Sequence, residues 1–370
     1  MLRCLRKFRR TSLTSSSCDA WECLQYHTSN MPTSYDRELD IASKAVQLCA
    51  DLTKQLQRQL KEESAVKKSD YSPVTIGDFA VQALLTSAIR QAFPGDTFLA
   101  EESADELRQN GRLLDEVWQL VELYRSSFNA ANPALRSPES NAELMDLIDM
   151  GGKNDKTDEG RKWVFDPIDG TATFMRGQQY AINCAFLVDG REQIGIIGCP
   201  NLSPTAVTTH EDATDPDGLG LMIYAVRGQG TWQRRMQPSS DLLPATQIPR
   251  HGDTTSMDRL IWSDCSTYTS TIQHLHQQVA AKLNTSWPGV DLYSSIVKYA
   301  ALGLGHCSVC IRIFNYASWR SNMWDHAGGV LIFEEAGGKV TDLEGKSIDF
   351  SRGRKMVSAR RKLTSGRYEC

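Results

Sequence analysis

The sequence predicts an α/β fold, and three observations carry that reading. Apolar runs that read as buried strands end in acids, at Phe98-Leu99-Ala100 before Glu101 and at Val164-Phe165 before Asp166. Apolar residues recur at helical spacing over 35–62 and again after Asp78. From about residue 260, strand-like and helix-like segments alternate, the pattern of a sheet covered by helices.

The first expected helix, 35–62, carries Ile41, Ala45, Leu48 and Leu52 on one side. The second starts near Asp78, with Val81, Leu84, Leu85 and Ile89 together and Pro94-Gly95 as its stop. A third covers about 104–126. Residues 127–160 are rich in Asn, Ser, Pro, Gly and charge, and read as a surface insertion with one short helix near Leu144. Two runs, 180–188 and 193–198, flank Asp189-Gly190 and predict a hairpin. Loop material follows to about 220. Then come a strand at 260–264, helices near 270–284 and 295–304, a strand at 307–314, a helix from Asp325 to the Gly337-Gly338 stop, and a strand at 339–341. The expected lobes are 31–200 and 201–360, followed by a tail at 361–370.

Residues 1–30 differ in kind. Arg3, Arg6, Lys7, Arg9 and Arg10 precede the first acid, Asp19, and 12–17 is rich in hydroxyls. This fits a mitochondrial transit peptide. The alternative, a disordered extension or a start at Met31, leaves the protein cytoplasmic.

A hydrophobic content of 41% over 370 residues supports a large core. The net charge of −4 gives no basic field for a nucleic-acid polymer. No apolar run approaches the roughly 18 residues that span a bilayer. Ten cysteines without framework spacing suit reduced thiols. Cys307 and Cys310 form a CxxC within a strand-like run. There, residues three apart face opposite sides and neither chelate nor pair.

The richest segment is WVFDPIDGTATFMRG at 163–177. Pro167 and Gly170 force a tight turn that aims Asp166, Asp169 and Thr171 at one point. Asp-Pro-x-Asp-Gly is also good turn chemistry in its own right. Carboxylates that close repel unless a cation sits between them, and hard oxygen donors suit Mg²⁺ or Mn²⁺. Other acids recur at strand and helix ends: Glu101 and Glu102 in FLAEES, Asp78 ahead of a helical pattern, and Asp325 in WDHAGG. Singly, Asp78 and Asp325 read equally well as helix caps, and Glu101 and Glu102 as solvated acids.

Taken in order, SPVTIGDFAVQALL (72–85), FLAEES (98–103), WVFDPIDGT (163–171), LYSSIVKYAALGLG (292–305), WDHAGG (324–329), EEAGGKVTD (334–342) and IDFSRGR (348–354) resemble the lithium-sensitive, Mg²⁺-dependent phosphatases of the inositol monophosphatase superfamily. Within it, the chain looks like the 3'(2'),5'-bisphosphate nucleotidases. The resemblance runs from about Tyr35 to about Met356. It implies a layered αβαβα sandwich and hydrolysis of adenosine 3',5'-bisphosphate to AMP, with 3'-phosphoadenylyl sulfate as a further substrate and a role in sulfate assimilation.

The resemblance also implies parts for matching residues. Glu101, Asp166 and the Ile168 carbonyl hold one Mg²⁺; Asp166, Asp169 and Asp325 hold a second; a third, weaker ion lies near Glu101 and Asp78. Asp78 and Thr171, helped by Glu101, activate water, and Gly170 and Thr171 offer N–H groups to phosphate. Ser294, Ser295, Lys298, Arg312 and Arg320 contact the nucleotide. Trp319 either stacks on the base or packs in the core, and His326 orients its neighbours. The chain departs from similar nucleotidases at Ala100, at Ala172-Thr173, and at Cys265-Ser266-Thr267-Tyr268, which stands in place of a His-Ser-Ser-His segment. The alternatives are an inositol phosphate phosphatase of the same fold and a catalytically weak nucleotide sensor. The expected partner is a small nucleotide bisphosphate, bound by a monomer with no membrane contact.

Overall fold

The structure, a computed structural model, describes residues 35–63, 73–131, 135–153, 159–251, 260–315 and 319–356. The extension at 1–30 and the tail at 361–370 lie outside them. Helix α1 (Asp36–Glu63) buries its expected stripe, Ile41, Ala45, Leu48 and Leu52. Helix α2 (Pro73–Ala92) packs beside it. It starts earlier than expected because Pro73 suits a first helical turn, where no N–H is needed. Asp78 therefore stands in its second turn and is not a cap.

Strand β1 (Thr97–Ala100) leads into α3 (Asp105–Gln109) and α4 (Gly111–Ala131). The single helix expected over 104–126 is thus divided at Asn110, whose Oδ1 accepts from Leu113 N at 3.2 Å. Helix α5 (Asn141–Gly152) starts from a Ser140 cap that accepts from Glu143 N. It packs on α2 and β1, and Leu135, Leu144, Leu147 and Ile148 are buried. The described part of 127–160 thus adds one face of α5 to the core. Its few apolar residues share one face, which overall composition conceals.

Strands β2 (Arg161–Asp169), β3 (Ala181–Val188) and β4 (Arg191–Cys199) follow, with short α6 (Thr171–Met175) after β2. The expected hairpin turns at Asp189 (φ 51°) and Gly190 (φ 72°), the positive pair that a two-residue turn needs. Strands β5 (Leu221–Val226), β6 (Thr231–Arg235) and β7 (Thr246–Gln247) were not expected and extend the sheet. The seven strands lie in sequence order, β1 parallel to β2 and the rest antiparallel. Strands β4 and β5 pair from Ile194–Val226 to Cys199–Leu221, so one sheet takes strands from both sides of residue 200, the expected boundary between lobes.

The remaining elements are β8 (Trp262–Asp264), α7 (Gln273–Lys282), β9 (Val290–Asp291), α8 (Ser295–Leu304), β10 (Val309–Cys310) and α9 (Ala327–Glu335). A small parallel sheet has the order β10-β8-β9. The strand expected over 307–314 shrinks to two residues at an edge, and 339–341 forms no strand. Helix α9 begins beyond His326, which takes the cap position expected for Asp325. The cysteines at 49, 184, 199, 265, 307 and 310 are free thiols.

Helices α1 and α2 cover one face of the large sheet, and α9, with α8 against it, covers the other. The small sheet packs on α8 through Val290 and Leu292. The fold is the layered α/β sandwich expected. Among the described residues, no helix is long and apolar enough to cross a membrane.

Candidate active site

The large sheet itself gathers the acids. Strands β1 and β2 run parallel in the register Thr97–Lys162 to Ala100–Phe165, and one further step sets Glu101 beside Asp166. Side chains alternate along β2. Trp163 and Phe165 enter the core under α1 and α2, and Val164 enters the core under α9 with Trp324. Asp166 continues the second set, toward the chain that carries Asp325.

Across the sheet, Asp166 pairs with Asn183. Asn183 Nδ2 donates to Trp324 O at 2.6 Å, which fastens the backbone just ahead of Asp325. Gly328 makes room for this tether, since a Cβ there would lie 2.3 Å from Asn183 Oδ1. Asn183→Ala should cost about 1–2 kcal/mol in denaturant unfolding, because Trp324 O loses a buried donor. A fall in kcat/KM of about tenfold is expected with it, from a loosened Asp325.

Between Asp166 and Asp169 the β2–β3 register shifts, a bulge that re-aims the strand end. Ile168 is buried there with Leu56, Phe174 and Tyr180. Asp169 turns toward α8, and its Oδ2 accepts from Ser294 Oγ at 2.5 Å and Ile296 N at 2.6 Å. Gly170 follows at φ 97°, a left-handed position that favours glycine, and caps α6 ahead of the exposed Thr171. Ser294 also accepts from Val297 N at 3.0 Å. The hydroxyl expected on substrate is thus engaged with Asp169 and its own helix.

Asp78 is buried on α2, one turn before Gln82. Gln82 clamps the Glu102 backbone: its Nε2 donates to Glu102 O at 2.8 Å, and Glu102 N donates to its Oε1 at 2.9 Å. Arg354 reaches the same loop, donating to Glu101 O at 3.2 Å and Gly151 O at 2.9 Å, with its guanidinium 4.6 Å from the Trp324 ring centre. Gln82, Asn183 and Arg354 were missed as site residues. The signal for Asn183 was a lone amide inside the apolar run AINCAFLV. The other two lay within recognised motifs.

The acids act on one another strongly. Burial, then Glu101, Asp169, Asp325 and Asp78, drives Asp166 well above the usual carboxylate range. Glu101 is pushed up to about 7 by loss of solvent, then by Glu102 and Asp169. Asp325 also rises to about 7, through burial, Asp169 and Glu101. Asp78 is raised by burial and then by Glu102 and Glu101. Asp169 is raised by burial, against the pull of its bonds to Ser294 and Ile296.

Asp166 Oδ1 is buried without a hydrogen-bond partner. An orphaned carboxylate oxygen amid repelling carboxylates is a place for a cation, and an all-oxygen set fits a hard one. Among the described residues, no three His, Cys, Asp or Glu side chains already stand together as a metal-holding group. As placed, the acids are electrostatic neighbours rather than a closed ligand set.

A cationic arm flanks them. Lys298 is buried on α8, and Arg312 Nη1 donates to Ser295 Oγ at 2.7 Å. Next to Arg312, Ile313 N donates to His276 Nε2 at 2.8 Å, and His276 Nδ1 lies 2.8 Å from Asp264 Oδ2. Both cations act on Asp169. Arg320 donates to Trp319 O at 2.7 Å. Trp319 is exposed and stacks on Phe314 at 5.4 Å between ring centres. His326 bonds Tyr299 Oη at 3.0 Å through Nδ1, and burial pushes it down to about 3, so the imidazole stays neutral.

Acids at the sheet end are bordered by cations, a setting whose chemistry suits a phosphorylated small molecule. A model of the inositol monophosphatase family matches residues 34–369, and the chain belongs to that family. It is 36% identical over 335 residues to a 3'(2'),5'-bisphosphate nucleotidase of Emericella nidulans, covering 88% of this chain and 93% of the relative. It is 34% identical over 326 residues to 3',5'-bisphosphate nucleotidase 2 of Arabidopsis thaliana, covering 87% and 90%. In fold it is similar to inositol monophosphatase II of Staphylococcus aureus (TM-score 0.55, 17% identity, 89% and 90% covered). CysQ of Bacteroides thetaiotaomicron gives a TM-score of 0.53 at 15% identity, with 89% and 99% covered.

Proposed function

We propose that this protein is a Mg²⁺-dependent 3'(2'),5'-bisphosphate nucleotidase that converts adenosine 3',5'-bisphosphate to AMP and phosphate. The observation that carries this reading is the gathering of the buried, mutually repelling carboxylates Asp78, Glu101, Asp166, Asp169 and Asp325 beside the Lys298–Arg312 arm. The names of relatives about one-third identical over most of the chain support the substrate class. Hydrolysis of 3'-phosphoadenylyl sulfate and a place in sulfate assimilation belong to the same reading.

Two divalent ions, once bound, would polarise the phosphate, lower the pKa of a bound water and neutralise the leaving oxygen. Glu101, Asp166 and the Ile168 carbonyl would hold one, and Asp166, Asp169 and Asp325 the other. Asp78 and Thr171, with Glu101, orient the attacking water, and its proton passes through the Thr171 hydroxyl to the Asp78 carboxylate. The water oxygen bonds to phosphorus, the 3' ester P–O bond breaks, and the leaving ribose oxygen takes a proton from solvent water. Gly170 and Thr171 present backbone N–H groups to the transferred phosphate. Ser294 steadies Asp169, while Lys298 and Arg312 receive the second phosphate.

The test is phosphate release from adenosine 3',5'-bisphosphate, inositol 1-phosphate and inositol 1,4-bisphosphate, with and without Mg²⁺ and Li⁺. Preference for the nucleotide, dependence on Mg²⁺ and inhibition by Li⁺ are expected. Lys298→Ala should raise KM for the nucleotide about tenfold or more and leave any inositol phosphate activity unchanged. Preference for an inositol phosphate would replace the reading with that of an inositol phosphatase. Tight nucleotide binding without turnover would make the protein a sensor.

A further inference from the structure

Tyr268 has no part in the hydrolytic arrangement, yet both cations of the recognition arm pack on its ring. Lys298 Nζ lies 4.7 Å from the ring centre and Arg312 Cζ 5.3 Å. Lys298 is 3% exposed. Among the described residues, neither cation forms an ion pair with a carboxylate. Two like charges shielded from water repel. Burial pushes the Lys298 ammonium down, and Arg312 adds to that push. The face of an aromatic ring is the negative part of its quadrupole and offsets some of this repulsion.

The ring is held in place. Its hydroxyl donates to Tyr293 O, it meets the Tyr293 ring edge-on at 5.0 Å, and its carbonyl accepts from Gln273 Nε2 at 2.7 Å. Arg312 is fixed at Ser295 by Nη1 and, through Ile313 N, at His276. Its Nε is buried without a hydrogen-bond partner, an N–H directed at no acceptor of the protein. Tyr268 also ends the segment in which this chain departs from the His-Ser-Ser-His of similar nucleotidases.

We infer that Tyr268 is a positioning residue that sets substrate specificity: its ring holds Lys298 and Arg312 side by side, with no carboxylate in direct ion-pair contact with either, so that the pair receives a dianionic group. The identity of that group as the second phosphate of a nucleotide bisphosphate rests on the nucleotidase reading. A carboxylate at this place would neutralise the cations and compete with the ligand. An aromatic face gathers them and leaves their N–H groups to a phosphate.

The test separates phosphate recognition from hydrolysis. AMP carries the second phosphate and has no 3' ester to cut. Its binding to the full protein in Mg²⁺ buffer is measured by calorimetry, with adenosine as the probe lacking phosphate. Tyr268→Leu should weaken AMP binding about tenfold, and Tyr268→Phe, which keeps the ring, by less than about threefold. Adenosine binding should not change in either variant. KM for adenosine 3',5'-bisphosphate should follow AMP affinity, with kcat within about twofold of the wild-type value. Tyr268→Met fills similar space without a ring face and replaces the leucine variant should that one unfold.

AMP binding unchanged in both the leucine and methionine variants would overturn the inference, as would equal losses for AMP and adenosine. Wild-type protein that binds AMP without cutting the bisphosphate would overturn the nucleotidase reading, while ring-dependent binding still upheld the role of Tyr268. Absence of AMP binding by the wild-type protein would overturn both.

Discussion

Asp166→Asn is expected to abolish turnover of adenosine 3',5'-bisphosphate, by about a thousandfold or more in kcat, while making the metal-free protein more stable at pH 8. The two effects have one cause. Asp166 is 2% exposed, one of its oxygens has no partner, and four other acids raise its pKa. Without a cation, its negative charge is buried and opposed. Asparagine keeps the shape and removes the charge, so unfolding free energy should rise by about 1–3 kcal/mol. With divalent ions bound, the same carboxylate would be among the groups that hold them, and its loss would remove chemistry that activates water. Denaturant unfolding in chelator and steady-state rates in Mg²⁺ check the two halves. A variant that keeps near-normal turnover would remove Asp166 from the chemistry. A variant destabilised in chelator would mean that the carboxylate is satisfied in a way the structure does not contain.

What could be read from the chain and what could not divide along physical lines. Glu101, Asp166 and Asp169 were legible because they stand where apolar strand runs end, and the ends of β1 and β2 meet on one edge of the sheet, whereas Asp78 and Asp325 were legible only within their motifs. The stripe on α1 and the Asp189-Gly190 hairpin were legible because their signals are local. Long-range ties were less so. Asn183 reaches Trp324 across 141 positions, and Ser294 reaches Asp169 across 125; no periodicity announces either. Strands β6 and β7 are short and largely polar, TWQRR and TQ, and β5 is a six-residue apolar run with no period of its own, so none of the three carries a strong local signal. The cap readings of Asp78 and Asp325 failed for the same reason that such readings often do. A side chain suited to a helix N-terminus is also suited to a ligand site, and the actual helix starts fall at Pro73 and Ala327.

The strongest condition dependence should come from removing metal and raising pH together. In the metal-free protein, Glu101 is raised from an ordinary 4.5 to about 7 and Asp325 from 3.8 to about 7, each by burial first and neighbouring acids next. Between the ordinary and raised values, the folded state holds protons that the unfolded chain has released. Stability therefore falls as pH rises. The contribution is present below about pH 4 and is lost as pH climbs through 7. Tm in chelator is expected to fall from pH 5 to pH 8, and Mg²⁺ should raise Tm much more at pH 8 than at pH 5. Binding near pH 7 should release about one to two protons, read from calorimetry in buffers of different ionisation enthalpy. Glu192 is also raised to about 7, by burial first and with none of the site's acids among the causes, so it contributes to the fall in chelator and not to its rescue by Mg²⁺. Glu192→Gln should therefore flatten the metal-free profile while leaving the Mg²⁺ increment intact. Equal rescue at both pH values, or binding without proton release, would show that the acids are ionised before any cation arrives, and the electrostatic case for a divalent centre would fail with them.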